Sequence, residues 1–459
     1  MHTRPPALAR VLTACALAAA AIACAPAAAT AATASAAPTA ANTSPRTDAP
    51  AGRDLPASTR FFTPPPASGS TQQILRLAAD GDLAGAAGLA RMEATPQAVW
   101  FTGGTPAQVR QQARVTMAEA AVEQAVPILV AYDIPGRDCA QYSAGGAADQ
   151  AAYQAWISAF AAGIGNGKAV IIVEPDALGN MPSDCAVYGG SNYPFTDAER
   201  ISEVSYAVTA LEDDPNTSVY LDGTNSHWQA VGTITQRLIE AGVQQAQGFF
   251  LNVSNYQTDT ASTTYGTWVS DCIAMATDPA DWAYENEADC ASQYYPASVD
   301  DPSTWALTTA WYQQNMDGAV AATHFVVDSS RNGQGPNSMQ GYAAAPYDQS
   351  SSVVATLFAG NWCNPTGAGL GVRPTVNTGV PLLDAYLWIK TPGQSDGQCD
   401  AAGGVRAWDY TAYTEPGWPA DAADQALFDP LWGTADPAAG AWFPQQALQL
   451  VQDANPPLF

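Results

Sequence analysis

Seven short apolar stretches recur along this chain, and each ends abruptly in polar, glycine or proline residues. They are AVWFTGG from Ala98, VPILVAYD from Val126, AVIIVEPD from Ala169, SVYLDG from Ser218, GFFLNVSN from Gly248, THFVVDSSRN from Thr323 and AYLWIKTPG from Ala385. Runs of this length, rich in β-branched and aromatic residues, read as strands buried on both faces. Helical patterns lie between most of them: Thr105 to Gln124, Asp149 to Ala162 and Thr196 to Leu211. The last opens on Thr196-Asp197-Ala198-Glu199, a capping-box sequence. Strand alternating with helix implies an α/β fold with a parallel sheet and right-handed crossovers. A barrel with inserted loops accommodates a chain of 459 residues.

In such folds the site is built at the carboxyl ends of the strands. There the chain places Asp133, Asp138, Asp176, Asp222, Asn252, Asn255, Asp328, Lys390 and Asp396. In AVIIVEPD, four β-branched residues run straight into Glu174-Pro175-Asp176. Proline removes a ladder donor and ends the strand. The carboxylates beyond it must reach solvent or find partners, because an unpaired buried charge is costly. One such aspartate is commonly a helix N-cap. Several drawn to one rim from different strands point to carboxylate chemistry. Hydrolysis of a glycosidic bond fits, since it needs a protonated carboxyl to donate to the leaving oxygen, and like-charged neighbours raise a pKa toward that state. Trp100, Trp228 and Trp362 fall at strand ends or near Gly-rich loops, where flat indoles suit stacking on sugar rings. Trp388, inside a strand stretch, reads as core.

The ends and the cysteines bound the rest. Residues 1–30 carry Arg4 and Arg10, then an Ala/Leu-rich core and small residues, the pattern of a secretory signal. Cys24 follows Ala21-Ile22-Ala23, a poor lipoprotein site, so lipid anchoring is the minor alternative to a secreted protein. Residues 31–58 are rich in Ala, Thr, Pro and Ser and read as a disordered linker. That leaves 59–459 as the folded domain, with no membrane span expected. Outside the leader the cysteines are Cys139, Cys185, Cys272, Cys290, Cys363 and Cys399, an even number that suggests three disulfides with fifteen possible pairings. No CxxC occurs and only His227 and His324 lie outside the leader, so neither metal nor cofactor is expected. A net charge of −26 argues against nucleic acid and anionic lipid as partners.

Several stretches resemble one family in the correct order: YDIPGRDC (Tyr132 to Cys139), VEPDALGN, LDG followed by Trp228, WCNPTGAGLGVRPTVNTG from Trp362, WIKTPGQSDG from Trp388, and AGAWFPQQ near the carboxyl end. They are similar to glycoside hydrolase family 6, the cellulases that include endoglucanases and cellobiohydrolases. The resemblance covers about Thr59 to Phe459. It implies a distorted parallel β/α barrel of about seven strands, with the cleft at their C-terminal ends, that cleaves β-1,4-glucan with inversion. It makes Asp176 the general acid, and Asp138 the residue that raises its pKa and helps position the water. The base stays open between Asp138, acting through water, and Asp396. Tyr132, Asp222, Asn252, Lys390, Gln394 and Asp396 become candidate sugar contacts, and Trp100, Trp228 and Trp362 stacking platforms. An inverting pair must leave room for water, about 6.5–9.5 Å between carboxyls. The resemblance also pairs Cys139–Cys185 and Cys363–Cys399, which leaves Cys272–Cys290.

Two departures stand out. The family usually has Glu where this chain has Gln394, and often His where it has Asn225, with His227 two positions on. Gln keeps a hydrogen bond but holds no charge, so weaker binding or an altered pH profile is expected. The loop after Cys139 is short, which favours an open cleft and internal cleavage by a monomer. The long loop from about Ser395 to Gly440 favours a covered cleft and exo action as the alternative. A carbohydrate-binding protein without catalysis is the third reading, and the presence of Asp176 and Asp138 speaks against it.

Overall fold

The computed structural model describes residues 55–189, 194–345, 347–399 and 419–459. The expected signal, Cys24, nearly all of the expected linker, and part of the long carboxyl-terminal loop lie outside the described residues.

Each of the seven stretches holds a strand: β1 (Val99–Phe101), β2 (Ile128–Ala131), β3 (Ala169–Val173), β4 (Thr217–Asp222), β5 (Gly248–Leu251), β6 (His324–Asp328) and β7 (Leu383–Leu387). They pair in parallel in sequence order, β1 to β7. That order is what consecutive right-handed crossovers generate, and the built-in twist curls the sheet on itself. Side chains alternate faces along each strand. Ile128, Val130, Val170, Ile172, Tyr220, Phe250, Val326 and Ala385 fill the concave inside. Leu129, Ile171, Val219, Leu221, Phe249 and Phe325 face the helices.

The helices follow in chain order: α1 (Ser70–Asp80), α2 (Leu83–Glu93), α3 (Pro106–Val122), α4 (Gln150–Ile164), α5 (Pro182–Gly189), α6 (Asp197–Glu212), α7 (Val231–Glu240), α8 (Asp259–Thr277), α9 (Trp305–Asn315), α10 (Ser351–Ala359), α11 (Ala422–Leu427) and α12 (Pro444–Gln452). Both ends of the expected capping box are made: Glu199 N–H donates to Thr196 Oγ1, and the Glu199 carboxylate accepts from Thr196 N–H.

The barrel is distorted where its ends meet. β1 and β7 share no ladder; Ala98 N–H donates to Trp388 O at 2.9 Å and the Trp100 indole to Ile389 O at 2.8 Å. A second core covers this seam, joining Leu89 and Met92 of α2, Trp388, and Ala447 and Leu450 of α12. Trp388 is therefore core, as expected, although it stands one residue beyond β7 rather than inside it. Three disulfides close Cys139–Cys185, Cys272–Cys290 and Cys363–Cys399, the pairing that the resemblance implied.

Candidate active site

The turn after β3 separates the two carboxylates of EPD. Glu174 and Asp176 both take left-handed backbone, φ 51° and 68°, which non-glycine residues adopt mostly at sites that hold them there. Glu174 is fully buried and accepts from the backbone N–H groups of Asp133 and Ile134 at 2.9–3.0 Å. It ties the end of β3 to the end of β2, and burial pushes its carboxyl up to about 8. Asp176 is left half-buried at the rim. Burial, then the carboxylates of Asp222 and Asp138, raise its carboxyl well above the ordinary range, against a smaller opposing pull from Lys390. A raised pKa favours the protonated form that a general acid needs.

Asp222, expected as a sugar contact, has another role. It is 2% exposed, and its oxygens accept from Leu178, Gly179 and Thr224 N–H at 2.9–3.0 Å. The aspartate at the end of β4 thus holds the loop that carries Asp176, and acts on that acid by charge. Burial raises its own carboxyl to about 6. Asn252 is also reassigned. It is fully buried, its amide donates to Gln257 O and Asp328 O, and its oxygen accepts from Gln257 N–H. No polar atom of it remains for a substrate.

Asp138 sits in a strained turn: Asp138, Cys139 and Ala140 have φ 56°, 48° and 63°. The disulfide to Cys185 anchors it, and Arg137 bonds to Thr102 O, Tyr132 O and Ser143 O. Asp138 Oδ2 accepts from Ser143 N–H at 2.7 Å and Ser143 Oγ–H at 2.8 Å. With that proton committed, the Tyr132 hydroxyl, 3.0 Å from Ser143 Oγ, donates to it. Asp138 is thereby linked through Ser143 to Tyr132 at the mouth of the barrel. Burial is the main cause that raises its carboxyl.

Asp396 is the opposite case. Burial pushes its carboxyl up, but Arg331 and Lys390 pull harder, and it ends below the ordinary range. Arg331 Nη1 lies 2.8 Å from Oδ2 and Lys390 Nζ 3.2 Å from Oδ1. Arg331 is fully buried, stacked over Tyr256 at 4.5 Å. Asn364 N–H and its side chain lock the Trp362 loop onto the same aspartate.

The aromatics take three places. Trp100 stands edge-on to Tyr132, 5.3 Å between ring centres, and shares a shallow groove with Pro64, Glu93, Thr391 and Gln394. The indole of Trp228 lies on Gly179, three residues after Asp176, so closely that a Cβ there would meet it at 2.5 Å. Trp362 packs against Tyr142 at 5.8 Å, and Tyr142 also rests on Gly397. The loop after β2 thus touches the loop after β7. Sequence reasoning read Glu174 only as a carboxylate in need of a partner, and missed Ser143, Tyr142 and Arg331. Of these, Arg331 left a trace, a cation after a strand end in a chain with few of them.

A barrel of parallel strands that gathers an aspartate of raised pKa, a second carboxylate linked to a tyrosine, an ion-paired third and several indoles at one rim fits a carbohydrate-hydrolysing enzyme. Comparison with known proteins places it more closely. The chain belongs to the glycosyl hydrolases family 6, whose model matches residues 56–454. It is 34% identical to Endoglucanase 1 of Streptomyces halstedii over 76% of this chain and 85% of that one. It is 28% identical to the 1,4-beta-D-glucan cellobiohydrolase C of Emericella nidulans over 71% and 61%. It also matches Endoglucanase A of Cellulomonas fimi at 31% identity, spanning only 53% of that longer protein. Among solved structures, the endoglucanase Cel6 of Mycobacterium tuberculosis, in complex with methyl-cellobiosyl-4-deoxy-4-thio-β-D-cellobioside, superposes with a TM-score of 0.57 and 30% identity. That match covers 86% of this chain and 98% of the other.

Proposed function

We propose that this chain is a secreted, inverting endo-β-1,4-glucanase in which Asp176 is the general acid. The observation that carries this reading is the Asp176 carboxyl after β3, on a loop whose Leu178 and Gly179 amides Asp222 accepts, with its pKa raised by burial and by the charges of Asp222 and Asp138. The Asp176 proton passes to the glycosidic oxygen as its bond to the anomeric carbon breaks. A water on the opposite face forms the new bond to that carbon, which inverts it. The water's proton goes to Asp138 through further water. Asp396 is the poorer base: two cations already hold its electron pairs, and its low pKa disfavours taking a proton. Tyr132 crowds the sugar at the cleavage point, Lys390 and Gln394 contact sugar hydroxyls, and Trp100, Trp228 and Trp362 form the stacking surface. Three disulfides and the signal-like leader support secretion, with residues 59–459 as the catalytic domain.

The endoglucanase relatives at 31–34% identity support internal cleavage. The Tyr142 bridge to Trp362 and Gly397 favours the exo-acting alternative, because it joins loops on two sides of the cleft. Viscosity and new reducing ends, followed together on carboxymethyl cellulose, separate the two. A steep viscosity fall with few new ends is expected. Slow sugar release at nearly constant viscosity would replace the endo reading with the exo one.

A further inference from the structure

Trp228 is followed by a surface that the roles above leave unused. The Tyr294 hydroxyl donates to the Trp228 carbonyl at 2.9 Å, and the residue is 45% exposed. Gln293 Nε2 donates to Gln229 O at 2.8 Å, and the Tyr265 hydroxyl donates to the same carbonyl at 2.7 Å. The 292–295 turn is therefore fixed to the Trp228 segment rather than loose beside it. His227, adjacent to Trp228, has its Nε2 3.9 Å from Asp300 Oδ1, and its ring stands edge-on to the exposed Phe358 of α10 at 6.4 Å. The Asp300 carboxylate is solvent-exposed and acts on Tyr294 as well as on His227. An aromatic face flanked by an imidazole and an exposed carboxylate is what a sugar ring needs: apolar contact from below and hydrogen-bonding groups around its hydroxyls.

We infer that Tyr294, His227, Asp300 and Phe358 form an additional sugar-binding position next to Trp228, which takes a further glucosyl unit of a long β-1,4-glucan. The occupant follows from continuity: the same chain that stacks on Trp228 passes directly onto this surface. The inference rests on the proposed role of Trp228. It makes the enzyme selective for chain length, with binding strengthened for oligosaccharides long enough to reach Tyr294.

The test is kcat/KM on cellotetraose and on cellohexaose for the secreted protein and for Tyr294→Ala, Tyr294→Phe, Trp228→Ala and, as a remote control, Tyr284→Ala. Tyr294→Ala should lower the cellohexaose-to-cellotetraose ratio about ten-fold, about 1.4 kcal/mol, mainly through KM. Tyr294→Phe, which keeps the ring, should restore most of the ratio, and Tyr284→Ala should leave it at the parent value. If Tyr294→Ala lowers both substrates equally, the tyrosine only props Trp228 and the inference is overturned. An unchanged ratio in Tyr294→Ala with a loss in Trp228→Ala also overturns it, while sparing the role of Trp228. No effect of either substitution would overturn both.

Discussion

At the scale of single residues, Asp222 is buried away from solvent yet acts on Asp176. Its oxygens accept the amides of Leu178 and Gly179, which orients the Asp176 loop, and its charge raises the Asp176 pKa. The acid must be protonated to act, so activity is lost as pH rises through its raised pKa. Removing the neighbouring charge lowers that pKa. Asp222→Asn should therefore shift the alkaline limb of kcat to lower pH, and the lost amide acceptor should cost about 1–3 kcal/mol of stability. A pH–rate profile checks the first part and urea denaturation the second. An alkaline limb that stayed put would remove Asp222 from the electrostatics of the site.

The elements explain why some parts were readable in the chain and others were not. Strands β2 to β5 stood out because both faces of each are buried, so apolar residues dominate them up to the rim, while β1 and β7 at the seam are only partly buried. Capping boxes marked α6 just as plainly. Asp176 and Asp138 could be named as candidates because their motifs are local. Ser143 was missed because a lone serine five residues from Asp138 carries no motif, and the partners of Glu174 and Arg331 were not legible, because they lie 41 and 65 positions away on other loops. Asn252 misled for the same reason: a polar residue at a strand end can turn inward. The disulfide Cys139–Cys185 ties the strained Asp138–Ala140 turn to α5. Replacing both cysteines with serine should cost about 2–4 kcal/mol in stability. It should also lower kcat, as the turn relaxes and Asp138 leaves Ser143. Calorimetry and steady-state kinetics read the two effects. A stability loss with full kcat would show that the bridge does not position Asp138.

Across the whole molecule, burial raises several carboxyls together: Asp133 to about 6, Asp222 to about 6, Glu203 to about 7 and Glu174 to about 8. An acid whose folded pKa lies above its unfolded one contributes stability below the unfolded value, near 4, and loses it as pH rises through the folded value. The enzyme should therefore be more stable at pH 5 than at pH 8, with a thermal midpoint higher by on the order of 5 °C. The net charge of −26 adds self-repulsion in the same direction. Glu174→Gln should flatten the slope between pH 5 and 8 while leaving the Asp133 and Ile134 amides an acceptor. Thermal scans across that window would contradict this if the midpoint rose with pH.

The central claim is that Asp176 delivers a proton to the leaving oxygen. It is tested most directly by the rate of Asp176→Asn on two substrates: cellotetraose, whose sugar leaving group needs a proton, and a dinitrophenyl β-cellobioside, whose leaving group does not. The variant should lose about 10²–10⁴-fold on cellotetraose and keep most of its rate on the activated glycoside. An equal loss on both would contradict the assignment and return Asp176 to a structural role.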